Sequence, residues 1–314
     1  MRAAGVNQAG GPVVPLELAD PRPLRDGEVL LRVQAAGVGN WDEFVRTGDW
    51  DTGTRPPMAL GVEAAGTVAA VGGAVPGFRL GDRVCTHTLP LPGQGCWAGL
   101  FIAAAAQTAP VPPGVPWDVA AAFPVPALTA DQALSGALRI RPGETVLVHG
   151  GGGVTGGLLV QLAAHYGARV IATGGPTGMD RLRGLGAATV LDYHEPGWPG
   201  QVRSLTSGGA DAAVNAAPAG AADTVRAVRP GGRLATITGD PPPAERGITV
   251  STVVVEPDGP RLARLAGLLG RGVLHVTVGA SFPLDQAAQA LAQVRRGAHG
   301  TAVVLRPGSA GARR

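Results

Sequence analysis

The chain contains no lysine, so all 26 of its basic side chains are arginine. A P-loop nucleotide hydrolase carries a G-K-[ST] sequence at the end of its glycine loop, and the absence of lysine argues against that class. The chain also has only two cysteines, Cys85 and Cys96. They cannot form a four-cysteine zinc lobe, and in a chain without an export signal we expect them to be free thiols.

Long apolar runs are missing as well. No stretch approaches the roughly 18 apolar residues of a membrane span, and the N-terminal sequence MRAAGVNQAGG lacks the apolar centre of a signal peptide. We therefore expect a cytoplasmic protein without membrane contact. The 26 arginines and 23 acidic residues are dispersed, without the clustering that would indicate nucleic acid as a partner.

With 314 residues, of which 45% are hydrophobic, the chain can form two domains with real cores. Its most informative stretch is 146–173, VLVHGGGGVTGGLLVQLAAHYGARVIAT. A short β-branched strand, a glycine loop over 150–157, a helix that ends at Gly167 and a second strand over 168–173 follow without interruption. This order predicts a βαβ unit.

The glycine loop fits the dinucleotide fingerprint G-x-G-x-x-G through Gly151, Gly153 and Gly156. In that fingerprint glycine permits a tight turn, close approach to a pyrophosphate and close packing of helix on strand. The N-terminus of the following helix offers free N–H groups and a partial positive charge. The motif therefore favours dinucleotide binding, although in a chain with 50 glycines a glycine-rich turn that only packs is the alternative.

The end of the second strand bears on the choice of dinucleotide. An acidic residue at this point binds the ribose 2′-hydroxyl of NADH, whereas its absence leaves room for a 2′-phosphate. Here the sequence is Thr173-Gly174-Gly175 and no carboxylate follows until Asp180. Because Arg181, Arg183 and Tyr193 are within reach of a phosphate, we prefer NADPH; for either arginine a solvated helix face is the alternative.

The first hundred residues read as a small twisted β domain with few helices. Asp26-Gly27 is typical of a hairpin turn, residues 40–45 of a short helix, and residues 48–57 of a polar loop. The proline-rich segment 107–117 is predicted to cross to the next domain, which begins with a helix over 118–138 that breaks around Pro124-Val125-Pro126.

From residue 144 strands and helices alternate, which predicts a parallel sheet covered by helices on both faces. The last strand of this sheet lies within 247–255. The remaining tail reads as strand, helix, strand, and we expect it to rejoin the first domain, with 308–314 as a loose end. The predicted domains are 1–116, 117–257 and a returning segment 258–314.

These signals together resemble the medium-chain dehydrogenase/reductase superfamily, specifically its zinc-free quinone oxidoreductase-like branch. The resemblance covers nearly the whole chain and implies an α/β fold with a doubly wound parallel Rossmann sheet and a GroES-like, mostly antiparallel β domain. The family's glycine loop runs A-x-x-G-x-x-G, and Gly150, Gly153 and Gly156 occupy those positions. The stretches that carry the resemblance are AAGVGNWDEFVRTG (35–48), LGVEAAGTVAAVG (60–72), GDRV (81–84), PALTADQAL (126–134), 141–173, LGAATVLDY (185–193) and RPGGRLATITG (229–239).

The resemblance also indicates that no metal is bound. Zinc alcohol dehydrogenases of this superfamily carry a catalytic cysteine where this chain has Gly39, and a histidine where it has Val62. Glu63 alone remains of that set, and we interpret it as structural, since catalytic zinc requires three protein ligands. Without a Lewis acid the implied reaction is hydride addition to an activated alkene or a quinone.

The implied catalytic residues are Asn40, Asp42 and Trp50. The family's hydrogen-bonding side chains are replaced at Gly39, Phe44 and Trp50, which leaves the Asn40 amide and the Trp50 indole as candidate donors. Asp42 matches the family's aspartate, and we favour a role in capping or orienting the short helix over proton transfer.

The expected cofactor contacts follow the glycine loop and the ends of the strands. Thr129, from the family's L-T-A motif, is placed near the nicotinamide carboxamide, with bonding to its own backbone as the alternative. His149, His87 and Cys85 are interpreted as packing residues. The full cofactor-binding set is Thr129, Gly151, Gly153, Val154, Thr155, Gly156, Thr173, Gly174, Arg181, Tyr193, Ala216, Thr238 and Gly239.

The sequence therefore predicts an NADPH-dependent reductase acting on a small apolar enone or quinone. Two alternatives stay open: a tailoring enzyme that performs a specialised reduction, cyclisation or isomerisation, and a cofactor-binding protein without catalysis. Loops 49–58 and 86–98, with Trp50 and Trp97, are expected to shape a pocket for a flat ligand. A homodimer is implied by the resemblance, through edge strands such as 248–255.

Overall fold

A computed structural model describes residues 1–297 and 299–308 of the chain. The chain forms two compact units, one made of Met1–Val125 with the chain from Glu256 onward, the other of Pro126–Val255. The first unit therefore continues past the predicted boundary at residue 116, while the second boundary lies next to the predicted one at 257. Most of the expected loose end at 308–314 lies outside the described residues.

The first unit is built mainly from antiparallel strands in two sheets. The small sheet has the order β2-β1-β4, and the large one the order β15-β16-β3-β5-β6-β8 with β7 paired to β3. The strands are β1 (Arg2–Val6), β2 (Val14–Glu17), β3 (Glu28–Val38), β4 (Met58–Ala59), β5 (Glu63–Val71), β6 (Arg83–His87), β7 (Leu100–Ala104), β8 (Thr108–Pro110), β15 (Val278–Pro283) and β16 (Ala302–Arg306).

The C-terminal segment joins this large sheet, as predicted. β16 pairs antiparallel with β3, with Val304 opposite Gly37. The helices of this unit are α1 (Trp41–Thr47), α2 (Trp117–Ala121), α8 (Gly259–Gly270) and α9 (Ala287–Arg296), while α3 (Pro124–Asp131) begins at its boundary and continues into a π-helical turn, Gln132–Ala137. Asp258 accepts a hydrogen bond from the Arg261 N–H at 2.8 Å and thereby caps the start of α8.

Two predictions for this unit are wrong. Asp26-Gly27 does form a turn, with Gly27 at φ +81°, but it joins β2 to β3, which lie in different sheets and do not pair. The segment 107–117 is not a crossing between domains, because β8 within it pairs with β6. The guanidinium of Arg83 also lies 3.6 Å from the ring centre of Trp117, which holds the segment on the first unit.

The second unit is the predicted parallel sheet with helices. Its order is β11-β10-β9-β12-β13-β14. The elements are β9 (Thr145–His149), α4 (Val154–His165), β10 (Arg169–Gly174), α5 (Met179–Gly184), β11 (Thr189–Asp192), α6 (Trp198–Leu205), β12 (Ala210–Asn215), α7 (Ala221–Arg226), β13 (Val228–Thr236) and β14 (Thr249–Thr252). The alternation of strands with covering helices could be predicted because short apolar strands such as β9 and β10 alternate with helical segments and are bounded by glycine or polar residues.

Leu147, Ile171, Val214 and Leu234, one from each of four neighbouring strands, are fully buried in this sheet. Such burial on both faces is what a parallel sheet between two layers of helices requires. Across the described residues, no helix combines the length and the apolar character needed to cross a membrane.

Candidate active site

The loop between β9 and α4 is shorter than predicted, because α4 already begins at Val154. Gly150 has φ +84°, and a Cβ on it would lie 2.7 Å from the carbonyl carbon of Ala216. A Cβ on Gly156 would lie 2.1 Å from the Gly150 carbonyl oxygen, whereas one on Gly151 would meet only side chain and backbone at 3.1 Å or more. Gly150 and Gly156 are therefore the glycines of this loop with the most severe steric requirement, whereas a side chain at Gly151 would be tight, and its contact with the cofactor stays a prediction.

Gly153 is the N-cap of α4, with Val154 and Thr155 half-exposed in its first turn. The first N–H groups of a helix have no intrahelical acceptor, so this turn presents donors and a partial positive charge to the solvent. A dinucleotide pyrophosphate fits this arrangement, since the absence of a side chain at Gly153 leaves the backbone accessible.

Arg181 is half-buried and lies against the same loop. Its guanidinium donates to the Gly152 carbonyl oxygen at 2.7 Å, and burial lowers its pKa from the ordinary arginine value. The prediction placed this arginine beside a 2′-phosphate. In the structure it borders the start of α4 instead.

Thr173, at the end of β10, is fully buried. Its hydroxyl lies 2.8 Å from Nδ1 of His149 and accepts the Gly150 N–H at 3.1 Å. His149 in turn stacks on Trp198 with ring centres 4.7 Å apart, and burial lowers the pKa of its imidazole. The Thr173 hydroxyl thus secures the start of the glycine loop rather than facing a cofactor, and the interpretation of His149 as a packing residue agrees with these contacts.

A polar network lies at the carboxyl ends of β12 and β13; of its members only Thr238 was predicted as a site residue, whereas Asn215, Thr236 and Asp240 were not. The Asn215 amide donates to the Thr238 hydroxyl at 2.8 Å and to Asp240 at 3.1 Å. Thr236 also donates to Asp240, at 2.7 Å. Ala216, at the same edge, donates its N–H to the His149 carbonyl at 2.8 Å. Polar residues at the carboxyl ends of parallel strands are the signal that would have found this network.

Asp42 is the central polar residue of the first unit. Its side chain is fully buried in α1, and one carboxyl oxygen accepts the Gly39 N–H at 2.8 Å. Its other oxygen has no hydrogen-bond partner among the described residues. Burial raises the pKa of Asp42 to about 8, although the Gly39 N–H acts in the opposite direction. The contact with Gly39 agrees with the predicted role of orienting the helix, and the raised pKa keeps much of this carboxyl protonated at neutral pH.

Glu63 is a second buried acid, at the start of β5. Its carboxylate accepts the Val125 N–H at 2.8 Å, and burial, aided by the charge of Asp42, raises its pKa well above the ordinary value. A Cβ on Gly37 would lie 2.3 Å from its Oε1. Glu63 is thus enclosed by backbone, in agreement with the structural role expected for it.

His87 lies opposite Glu63 in the sheet and is also fully buried. Its Nδ1 lies 3.1 Å from the Val62 carbonyl oxygen, so Nδ1 carries the proton. Burial lowers the pKa of His87 to about 4, and the ring is neutral at pH 7. Its Nε2 is buried without a partner in the described residues.

The remaining predicted site residues differ in exposure. Asn40 is exposed at the N-cap of α1, and its side chain makes no capping bond. Trp50 is half-buried, with its ring centre 6.3 Å from that of His87. Thr129 is half-buried on α3. Trp97 is fully buried and donates its indole N–H to the Gly37 carbonyl at 3.0 Å, so the prediction that it lines a ligand pocket is wrong.

Comparison with known proteins agrees with this architecture. Residues 25–113 match the alcohol dehydrogenase GroES-like domain and residues 185–305 match the family described as zinc-binding dehydrogenase. A quinone oxidoreductase from Sus scrofa is 30% identical over 327 residues, which cover 97% of this chain and 98% of that protein. The chain belongs to the quinone oxidoreductase branch of the medium-chain dehydrogenase/reductase superfamily.

Solved structures agree with this membership. A mycobacterial protein complexed with NADPH has a TM-score of 0.84 and 31% identity, covering 98% of this chain and 100% of that chain. An NAD-dependent alcohol dehydrogenase has a TM-score of 0.89 and 29% identity over the same shares. The polyketide synthase system protein NorB of Streptomyces orinoci is 36% identical over 72% of this chain, which spans only 10% of that much longer protein.

The zinc that the superfamily implies does not fit this quinone oxidoreductase. Among the described residues no three histidine, cysteine or acidic side chains are grouped as metal ligands. A Cβ on Gly39 would lie 2.2 Å from the Trp41 ring, so the indole fills the space that a ligand at this position would need. The protein is an oxidoreductase of the quinone oxidoreductase type, and among its described residues Gly39 and Val62 offer no side-chain ligand at two of the positions where zinc-dependent members of the superfamily carry one.

Proposed function

We propose that this protein transfers hydride from NADPH to an α,β-unsaturated ketone or a quinone without a metal. The observation that carries the proposal is the glycine loop, in which Gly150 and Gly156 admit no side chain and α4 presents its free first turn. The uncharged end of β10 at Thr173-Gly174 favours the 2′-phosphate of NADPH. The NADPH complex of a relative at 31% identity supports this choice.

The residues of the second unit would hold the cofactor. Val154 and Thr155 would donate backbone N–H groups to the pyrophosphate, while Ala216, Thr238 and Gly239 lie at the strand ends where the nicotinamide half is expected. When bound, NADPH supplies the hydride. The Thr173 hydroxyl, which lies 2.8 Å from His149 Nδ1, accepts the Gly150 N–H at 3.1 Å and would thereby hold the start of the loop in place for the cofactor.

The residues of the first unit would act on the substrate oxygen. Hydride addition to an enone moves negative charge onto the carbonyl oxygen, which a positioned donor stabilises. The exposed Asn40 amide is the proposed donor, with the Trp50 indole as a second. The buried Asp42 carboxyl orients the helix that carries Asn40 and holds a proton near it.

The test begins with a titration of the purified protein with NADPH and NADH, followed by nicotinamide fluorescence. A panel of enones and quinones is then added and the loss of nicotinamide absorbance is recorded. Tight NADPH binding with substrate-dependent oxidation supports the reductase. Binding without oxidation would favour the tailoring enzyme or the non-catalytic protein, and absence of binding would contradict the proposal.

A substitution tests the role of Asn40. N40A should lower kcat about tenfold or more, because one donor to the developing charge is lost, while the NADPH dissociation constant stays unchanged. N7A is the matched control, since Asn7 is likewise an exposed asparagine of the first unit. Equal kcat values for N40A and N7A would show that Asn40 takes no part in the reaction.

A further inference from the structure

The edge where β10 and β11 end carries a histidine to which neither the family comparison nor the sequence analysis gave a role. The two strands are parallel neighbours, with Gly174 opposite Asp192, so the residues that follow each strand meet at this edge. A Cβ placed on Gly175 would lie 3.5 Å from Cε1 of His194 and 3.7 Å from the ring of Tyr193. His194 is therefore in van der Waals range of the first residue after β10.

β10 is the second strand of the βαβ unit. In this fold the 2′ position of the adenosine ribose lies at the carboxyl end of that strand. Few cationic side chains are available to contact a 2′-phosphate at the end of β10. The chain has no lysine, Arg181 donates to the Gly152 carbonyl at 2.7 Å, and Arg183 pairs with Asp180 at 2.6 Å. His194 lies at the edge itself.

The orientation of the His194 ring suits a contact with an anion. Its Nδ1 lies 2.7 Å from Asp192 Oδ1, which also accepts the His194 N–H at 2.9 Å. Its side chain is 57% exposed, and its ring centre lies 4.0 Å from that of Tyr193, with the two rings tilted by 34°. With Nδ1 held by the carboxylate, the opposite nitrogen, Nε2, faces away from Asp192. A protonated ring thus neutralises Asp192 and presents a second N–H outward.

We propose that His194 is the cation that selects NADPH over NADH in this protein, and that this selection is strongest where the imidazole is protonated. The inference rests on the proposed function, since it concerns the cofactor of that reaction. When His194 is neutral, the negative charge of Asp192 near the 2′-phosphate is no longer compensated and repels it. NADH has no 2′-phosphate and does not experience this change. The other charged groups near this edge are Asp180, Arg181, Arg183 and the exposed Glu195.

The test measures dissociation constants for NADPH and NADH at several pH values from about 5.5 to 8.5. The proteins compared are the wild type, H194Q, H194R and the control H165Q. His165 is also exposed and paired with a neighbouring tyrosine, at 5.7 Å, but it lies at the C-terminal end of α4. The 2′-phosphate has its own second titration near about pH 6, and this contribution is common to all four proteins.

We expect H194Q to bind NADPH about tenfold more weakly than the wild type at the acidic end, the effect of losing one charge-assisted hydrogen bond. H194R should retain tight NADPH binding throughout, H165Q should behave as the wild type, and NADH binding should be equal in all four.

If H194Q preferred NADPH over NADH as strongly as the wild type does at every pH, the inference would be overturned. The proposed function would remain intact. Equal loss of NADH and NADPH binding in H194Q would also overturn the inference, because a structural defect, rather than a lost phosphate contact, would then explain the change. Failure of the wild type to bind either dinucleotide would instead overturn the proposed function.

Discussion

At the scale of single residues, Gly150 and Gly156 are the positions of the glycine motif at which the structure leaves no room for a side chain. Both approach backbone atoms so closely that a Cβ would overlap them, whereas a Cβ on Gly152 would meet nothing within 4 Å. The spacing of glycines in the sequence could not distinguish these cases, because it allowed the fingerprint to start at Gly150 or Gly151. For Gly150 the distinction depends on Ala216, which is distant in sequence and adjacent in space, whereas Gly156 meets the Gly150 carbonyl within the loop itself.

The first residue-scale prediction follows from this contrast. G156A should lose NADPH affinity at least tenfold and destabilise the protein by about 1–3 kcal/mol, the typical cost of overpacking. G152A should change neither property by much. Fluorescence titration with NADPH and urea unfolding measure both quantities, and similar behaviour of the two variants would show that the close approach at Gly156 is absent.

The buried acids of the first unit predict a pH dependence of stability. The pKa of Asp42 is about 8 in the folded state and about 3.9 in the unfolded state, so between these values the folded state binds the extra proton and stability falls as pH rises. His87, with a folded pKa of about 4, acts in the opposite direction but only below about pH 6.5. From about pH 6.5 to 8 the pH dependence of the free energy of unfolding therefore reflects the buried acids alone.

In that window the free energy of unfolding should decrease by up to about 1.4 kcal/mol per pH unit for each raised carboxyl. D42N removes one titrating group and should reduce the slope, leaving the part that Glu63 contributes. Urea unfolding at several pH values measures the slope in both proteins. Identical slopes would mean that Asp42 is ionised in the folded state.

At the scale of elements, β14 is an edge strand of the parallel sheet. The Val253 N–H bonds inward to the Thr236 carbonyl at 2.9 Å, so by alternation the N–H of Thr252 points away from the sheet. Val254, beside it, is 68% exposed. An edge with free N–H groups and exposed apolar side chains is suited to pairing with a second copy, as the family resemblance also implies.

We predict that T252P converts a homodimer to a monomer with little change in thermal stability, because proline removes only an outward N–H from an edge strand. T252A keeps that N–H and should remain dimeric. Sedimentation analysis distinguishes a 31.4 kDa species from one of twice that mass. A wild type that sediments as a monomer, or a T252P variant that stays dimeric, would rule out this edge as the interface.

The secondary-structure elements were the features of the molecule that could be predicted best from the sequence. The strands and helices of the second unit, the short helix α1 and the return of the C-terminal segment could all be predicted, because each depends on local periodicity and on turn residues. The partner with which a strand pairs does not depend on local periodicity or on turn residues. Asp26-Gly27 has the composition of a hairpin turn, yet β2 pairs with β1, and β3 pairs with β5, β7 and β16.

At the scale of the whole molecule, the residues at the zinc-ligand positions bear on which chemistry the fold performs. Gly39 and Val62 replace two ligands, and the Trp41 ring occupies the space beside Gly39. We predict that 1,10-phenanthroline leaves the rate of enone or quinone reduction unchanged within error, and that the active protein contains less than stoichiometric zinc by elemental analysis. A rate that falls with the chelator and returns with added zinc would contradict this.

The sequence by itself determined the class of the molecule. Strand and helix periods, the glycine loop and the family motifs are local features, and they were sufficient to predict a reductase of the quinone oxidoreductase type with a Rossmann-like unit. The tertiary structure alone decided the roles of particular side chains. It buried Trp97 and Thr173, turned Arg181 onto the glycine loop, raised the pKa of Asp42 and brought His194 to Gly175. Each of these outcomes depends on contacts between residues far apart in the chain, and local pattern carries no record of such contacts.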